Sequence, residues 1–157
     1  MLILKIADWQ FRVDKEATWE HTTHNSTEHC ECPNCTNNYE AVDVVFPDIR
    51  AFLSEFGIYI AGPSELMPFT PTLMLACYRV KGEILHWGKE QFIVSDVAGL
   101  PDAGEDGSFL LWIGEMELPW LQQEDMASVV SPANLPEFIQ RMEQVWLLRH
   151  GTEYVYT

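Results

Sequence analysis

The sequence predicts an α+β fold: an antiparallel sheet of about five strands with helices packed on one face. Three observations carry that expectation. Strand-like runs follow one another between residues 72 and 117 with only short turns between them, which makes hairpins rather than βαβ crossovers. Two segments, 49–56 and 135–146, repeat apolar residues at helical spacing. The 157 residues are 47% apolar and 12% aromatic, enough for one core, which excludes collagen-like and disordered classes.

The elements are expected in this order. Trp9, Phe11 and Val13 alternate with Asp8, Gln10 and Arg12, the pattern of a half-buried strand. Residues 14–38 are polar and carry His21, His24, His29, Cys30, Cys32 and Cys35. That stretch has too little apolar surface for a core of its own, so something other than burial must order it, or it stays loose. A short helix is expected over 37–44. A second should run over 47–56, because Pro47 suits a first turn and breaks a helix interior. Ile49, Phe52, Leu53 and Phe56 form its buried stripe, and Gly57 ends it in a left-handed turn.

Gly62, Pro63, Pro68 and Pro71 mark residues 61–71 as a loop. Strands are expected over 72–80, 83–87, 91–94 and 108–117, with turns at Gly82 and at Gly88-Lys89 and a longer loop over 99–107. Asn134 and Glu137 form a capping box. Leu135, Phe138, Ile139, Met142, Val145 and Trp146 make the apolar face of the helix that follows, which Gly151 closes. No repeat or low-complexity linker interrupts the chain, so residues 1–157 are expected to form a single domain.

Nine Lys and Arg oppose 24 Asp and Glu, a formal net charge of −15. Such a surface repels phosphate backbones and anionic lipid, so nucleic acid and membrane are not expected partners. It can steer toward a basic protein, or simply keep the chain soluble. No run of 18 apolar residues offers a membrane span. The apolar start, broken early by Lys5 and Asp8, does not read as a signal peptide.

The most specific chemistry lies in His29-Cys30-Glu31-Cys32-Pro33-Asn34-Cys35. Three thiols fall within six residues, and thiolates are the preferred soft donors for tetrahedral zinc. The Cys32-Pro-Asn-Cys35 spacing lets a tight turn aim two sulfurs at one ion, and Cys30 adds a third. The expected metal ligands are Cys30, Cys32, Cys35 and His24, with structural Zn as the cofactor. His29, His21 or Cys77 are the other candidates for the fourth position. His29, adjacent to Cys30, needs a sharply bent backbone to share the ion. Two other readings compete: reduced or disulfide-forming cysteines, and a redox-active Cys32/Cys35 pair at a helix start. The redox pair would normally follow a buried apolar strand, whereas residues 24–28 are polar.

His29, Cys30, Cys32, Cys35 and Asn37, with Phe56-Gly57-Ile58 and the later Leu118-Pro119-Trp120, give the chain a further feature. In these residues it resembles a group of small uncharacterised bacterial proteins with a His-Cys-x-Cys-x-x-Cys-x-Asn motif. The resemblance implies a bacterial, cytoplasmic setting and no particular activity.

Other residues have two readings each. His86 beside Trp87 could be a general base, but a strand histidine bonded to a neighbour is commoner. Glu115 and Glu117 share a strand face as paired carboxylates would, and as exposed strand residues commonly do. The six tryptophans fit core packing better than a pocket lining. There is no phosphate loop, Gly-x-Ser-x-Gly or His-Glu-x-x-His motif. The expectation is therefore a non-catalytic interaction module, immunity-like or adaptor, with a structural zinc site and a basic protein partner. The rivals are an enzyme with an open zinc position and a thiol redox protein.

Overall fold

Apolar residues at alternating positions build a seven-stranded antiparallel sheet, against which three helices pack. The structure is a computed structural model that describes residues 1–70, 72–94 and 96–122. In chain order the elements are β1 (Leu2–Ile6), β2 (Trp9–Val13), α1 (Lys15–Thr27), α2 (Pro33–Val45), α3 (Pro47–Glu55), β3 (Glu65–Pro68), β4 (Leu73–His86), β5 (Phe92–Val94), β6 (Val97–Ala103) and β7 (Ser108–Glu117). The strand order is β1-β2-β4-β7-β6-β5, with β3 on β4. The α+β class and the antiparallel sheet agree with the sequence reading. The expected helix over 134–150 lies outside the described residues.

β4 organises the sheet. Met74, Ala76 and Cys77 pair with Pro68, Leu66 and Glu65 of β3 and also with Met116, Ile113 and Trp112 of β7. These two strands therefore lie on opposite edges of β4. Farther along, Gly82–His86 pairs with β2. The core lies beneath, where Phe11 of β2 and Phe109 of β7 stack with ring centroids 5.2 Å apart and Phe56 meets Phe11 edge-on at 5.3 Å. Phe52 of α3 reaches Phe92 of β5 at 5.3 Å. Burying Phe11, Phe56 and Phe109 stabilises the fold by about 1.5–3 kcal/mol for each ring. The α3 stripe and its stop match expectation. Gly57 has φ of 80°, Ile58 N–H donates to Leu53 O, and Gly57 N–H donates to Ser54 O, both at 3.0 Å. Those are the two bonds of a Schellman ending.

The largest correction concerns residues 14–38, which form α1 and the start of α2. Asp14 caps α1 by accepting from Ala17 N–H at 3.0 Å. Thr18 and Thr22 are fully buried, one turn apart on the inward face. Thr18 Oγ1 accepts from Lys81 N–H of β4 at 2.9 Å and donates to Asp14 O at 2.7 Å. Thr22 Oγ1 accepts from Tyr59 N–H at 2.9 Å and donates to Thr18 O at 2.9 Å. The hydroxyl column thus satisfies buried backbone donors of β4 and of the segment after α3. A helix this polar docks by hydrogen bonds rather than by an apolar stripe.

Strand count and turns are also corrected. Gly82 lies inside one continuous 14-residue strand rather than at a turn. Its φ of 145° is a conformation that glycine permits, and a Cβ there would sit 2.0 Å from Arg12 O. The expected loop over 99–107 contains most of β6, and the loop over 61–71 contains β3. β1 was not expected; its residues are exposed or half-buried and show little alternation. Residues 87–91 link β4 to β5, which pairs with β6 instead of β4, so Gly88-Lys89 is no hairpin turn. Lys89 N–H donates to Asp8 and Trp9 Nε1 to Glu90 O, which fixes that connection.

Candidate metal centre

α1 closes with Glu28 N–H bonded to Asn25 O at 3.1 Å, and the chain crosses to α2 in a few residues. Cys32 is the N-cap of α2, with extended backbone at φ −63° and ψ 153° and Pro33 in the first turn. Proline suits that position because its missing N–H would be unpaired anyway. The Cys32 sulfur takes the role of a capping oxygen and accepts from Cys35 N–H at 3.4 Å. Cys30 Sγ accepts from Cys32 N–H at 3.4 Å. This turn folds the three sulfurs together, all within 4.8 Å of one another. Tetrahedral zinc with bonds of about 2.3 Å sets sulfurs about 3.8 Å apart, a spacing that lies inside the 4.8 Å limit of the cluster. Among the described residues, this is the one group of three or more His, Cys, Asp or Glu with converging donor atoms.

The local electrostatics suit a cation. The Cys30 thiol is held below the usual thiol range by the Cys32 backbone N–H and then by the Cys32 side chain. The Cys35 thiol is pushed up, first by burial and then by the neighbouring sulfurs. Burial also pushes up the Tyr39 phenol, with the nearby sulfurs adding to the effect. Three anionic sulfurs repel one another, and a divalent ion among them inverts that balance by deprotonating the thiols it binds. The three soft donors could hold a metal ion, and their type suits zinc, with a fourth position left to fill. All four cysteines are free thiols.

None of the four candidate fourth ligands, His24, His21, Cys77 and His29, has a donor atom inside the group of three sulfurs. His24 is exposed on α1, with Nε2 3.2 Å from Glu28 Oε2, and stands outside the sulfur cluster. His21 is half-buried on the same helix, its pKa lowered by burial and then by Lys81, Arg79 and His24. Cys77 is buried in β4 between β3 and β7, its thiol pushed up by that burial, and it too stands apart from the cluster. His29 stacks on Tyr39 with ring centroids 3.9 Å apart at 22°. Its Nδ1 is buried and has no hydrogen-bond partner.

Cys30 and Cys35 border a polar cleft of about 390 Å³, which Asn25, Glu28, His29, Tyr39 and Ser64 also line. Tyr39 was missed in the sequence. It lies four residues after Cys35, so the two share a helix face; a helix started at Pro33 rather than Asn37 reveals that pairing. α2 also buries Asn34, Asn37 and Asn38. Asn37 accepts from Leu121 N–H at 2.7 Å and donates to Pro119 O at 3.1 Å. This tie anchors the metal-site helix to the chain beyond β7.

The remaining candidates stay outside the cluster. His86 is exposed at the end of β4, opposite Gln10. Glu115 is half-buried and Glu117 exposed on β7. Trp9 and Trp112 pack in the core, as expected, whereas Trp19 and Trp87 are exposed. No helix among the described residues is long and apolar enough to cross a membrane. No protein-family model, curated protein or solved structure matches the chain.

Proposed function

We propose that the protein is a non-catalytic interaction module, immunity-like or adaptor, whose α1–α2 junction is held by a structural zinc ion. The convergence of the Cys30, Cys32 and Cys35 sulfurs within 4.8 Å carries this reading. The ion sits at the surface end of α2, away from the aromatic core. Zinc therefore fixes the junction and the first turn of α2, while burial and hydroxyl contacts hold the body. With a net charge of −15, the partner is a basic protein drawn in by long-range attraction. Four free thiols suit a reducing compartment such as the bacterial cytoplasm.

Native mass spectrometry of the purified protein is expected to find one zinc ion per chain, removable by a chelator. Metal-free protein with a Cys32–Cys35 disulfide in air would overturn the zinc reading in favour of thiol redox chemistry. Cross-linking in the source cells should capture a partner of net positive charge whose complex weakens as salt rises. A captured partner that is acidic, or binding unaffected by salt, would refute the electrostatic part.

One observation favours a second reading. The polar cleft beside Cys30 and Cys35, with the Glu28 carboxylate on its wall, would suit a hydrolytic enzyme in which zinc keeps a water in the fourth position.

A further inference from the structure

Structural zinc sites are closed by four protein ligands, whereas catalytic ones leave a position open. Three sulfurs alone therefore leave the nature of the site open. We propose that His29 is the fourth ligand and that its imidazole closes the site from the cleft side; this rests on the zinc reading above.

Three observations converge on His29. First, it lines the same cleft as Cys30 and Cys35, so although its ring nitrogens lie outside the 4.8 Å sulfur group, an ion held by those sulfurs faces the space that the imidazole borders. Second, its Nδ1 is buried without any hydrogen-bond partner. Leaving a buried polar nitrogen unpaired costs about 1–3 kcal/mol, and native structures rarely do so without a reason. A lone pair aimed at a cation removes that cost. Third, the ring lies nearly flat on Tyr39 at 3.9 Å, and Tyr39 follows Cys35 by one helical turn on α2.

The rival histidines are less suited. His24 is mostly exposed and engaged with Glu28 at 3.2 Å. His21 contacts Asn25 Nδ2 at 3.5 Å and lies farther back along α1. The adjacency of His29 and Cys30 requires a bent backbone, and the chain does turn sharply there, with Cys32 N–H folded back onto Cys30 Sγ. Nδ1 is therefore assigned to the metal, and the ring is held by its stack on Tyr39.

The test uses the full-length protein loaded with zinc(II) or cobalt(II). X-ray absorption of the zinc protein is expected to show three sulfurs and one imidazole nitrogen. His29→Gln should lose the imidazole signal and bind zinc at least ~100-fold more weakly, since losing an outer-shell partner alone costs 10–100-fold. His29→Cys should restore tight binding with an all-sulfur cobalt spectrum, and His24→Gln should match wild type. Three sulfurs plus an oxygen in wild type, with affinity unchanged in His29→Gln, would overturn the proposal and favour the open, enzymatic site. Loss of the imidazole signal in His24→Gln would equally overturn it, by assigning the ligand to α1. Failure of wild type to bind either ion would instead refute the zinc reading and this proposal together.

Discussion

Replacing Thr22 with Val tests what holds α1 in place. The two side chains have nearly the same shape, so packing is preserved while the hydroxyl is lost. Thr22 is fully buried, and its Oγ1 is the acceptor for Tyr59 N–H at 2.9 Å. Without it that donor is stranded beneath the helix, a cost of about 1–3 kcal/mol. For a chain of this size each kcal/mol lowers Tm by about 2–4 °C, so Tm should fall by roughly 2–12 °C. Thr18→Val should cost a similar amount, because Lys81 N–H loses its 2.9 Å acceptor. Thr23 is the control. Its hydroxyl bonds only within its own helix, to Trp19 O and Glu20 O, and is exposed, so Thr23→Val should stay within about 0.5 kcal/mol of wild type. Urea denaturation and thermal melts of the three variants in excess chelator isolate the effect from any metal. If Thr22→Val proves as stable as Thr23→Val, the hydroxyl column does not order α1 and the reasoning fails.

Three further outcomes are expected. Cys32→Ser should raise amide hydrogen exchange across residues 29–36 while leaving α1 protected, because the Asp14 cap and the threonines are untouched; exchange spreading through residues 15–27 would show that the metal orders that helix after all. Gly62→Ala should destabilise the protein by about 1–3 kcal/mol in denaturant titration, since the added Cβ would lie 1.8 Å from the Thr22 carbonyl oxygen; an unchanged midpoint would refute the close helix–loop contact. His21 has a folded-state pKa below its ordinary 6.5, so the unfolded chain takes up a proton that the native state resists. Stability from this group is complete above about pH 6.5 and is lost as pH falls from there toward the lowered folded value. Wild type should therefore lose more stability than His21→Gln as pH falls through that window, and parallel pH profiles would disprove the shift.

Much of the site was legible locally because its information is local. Three cysteines within six residues converge through one turn and one helix cap, and both depend only on neighbouring backbone. The start of α2 at Pro33, with Cys32 as its cap, was missed, because the helix was expected only from Asn37. The proposed fourth ligand was not legible. His21, His24 and His29 have the same chemistry, and the proposal separates them only by the stack of His29 on Tyr39 and the buried, unpaired Nδ1 beside the cleft.

The same division holds for the fold. Alternation at Trp9, Phe11 and Val13, the α3 stripe from Ile49 to Phe56 and the Gly57 stop are periodic or conformational signals, and the chain alone determined them. The hydrophilicity of residues 14–38 argued against order because sequence patterns report apolar burial. Thr18 and Thr22 stabilise α1 through backbone donors supplied by Lys81 and Tyr59, dozens of residues away. Gly82 likewise reads as a turn until β2 passes so close that a side chain would strike Arg12, and the strand then continues through it. Tertiary structure decided these features because hydrogen-bond partners and steric neighbours distant in sequence exist only once the chain has folded.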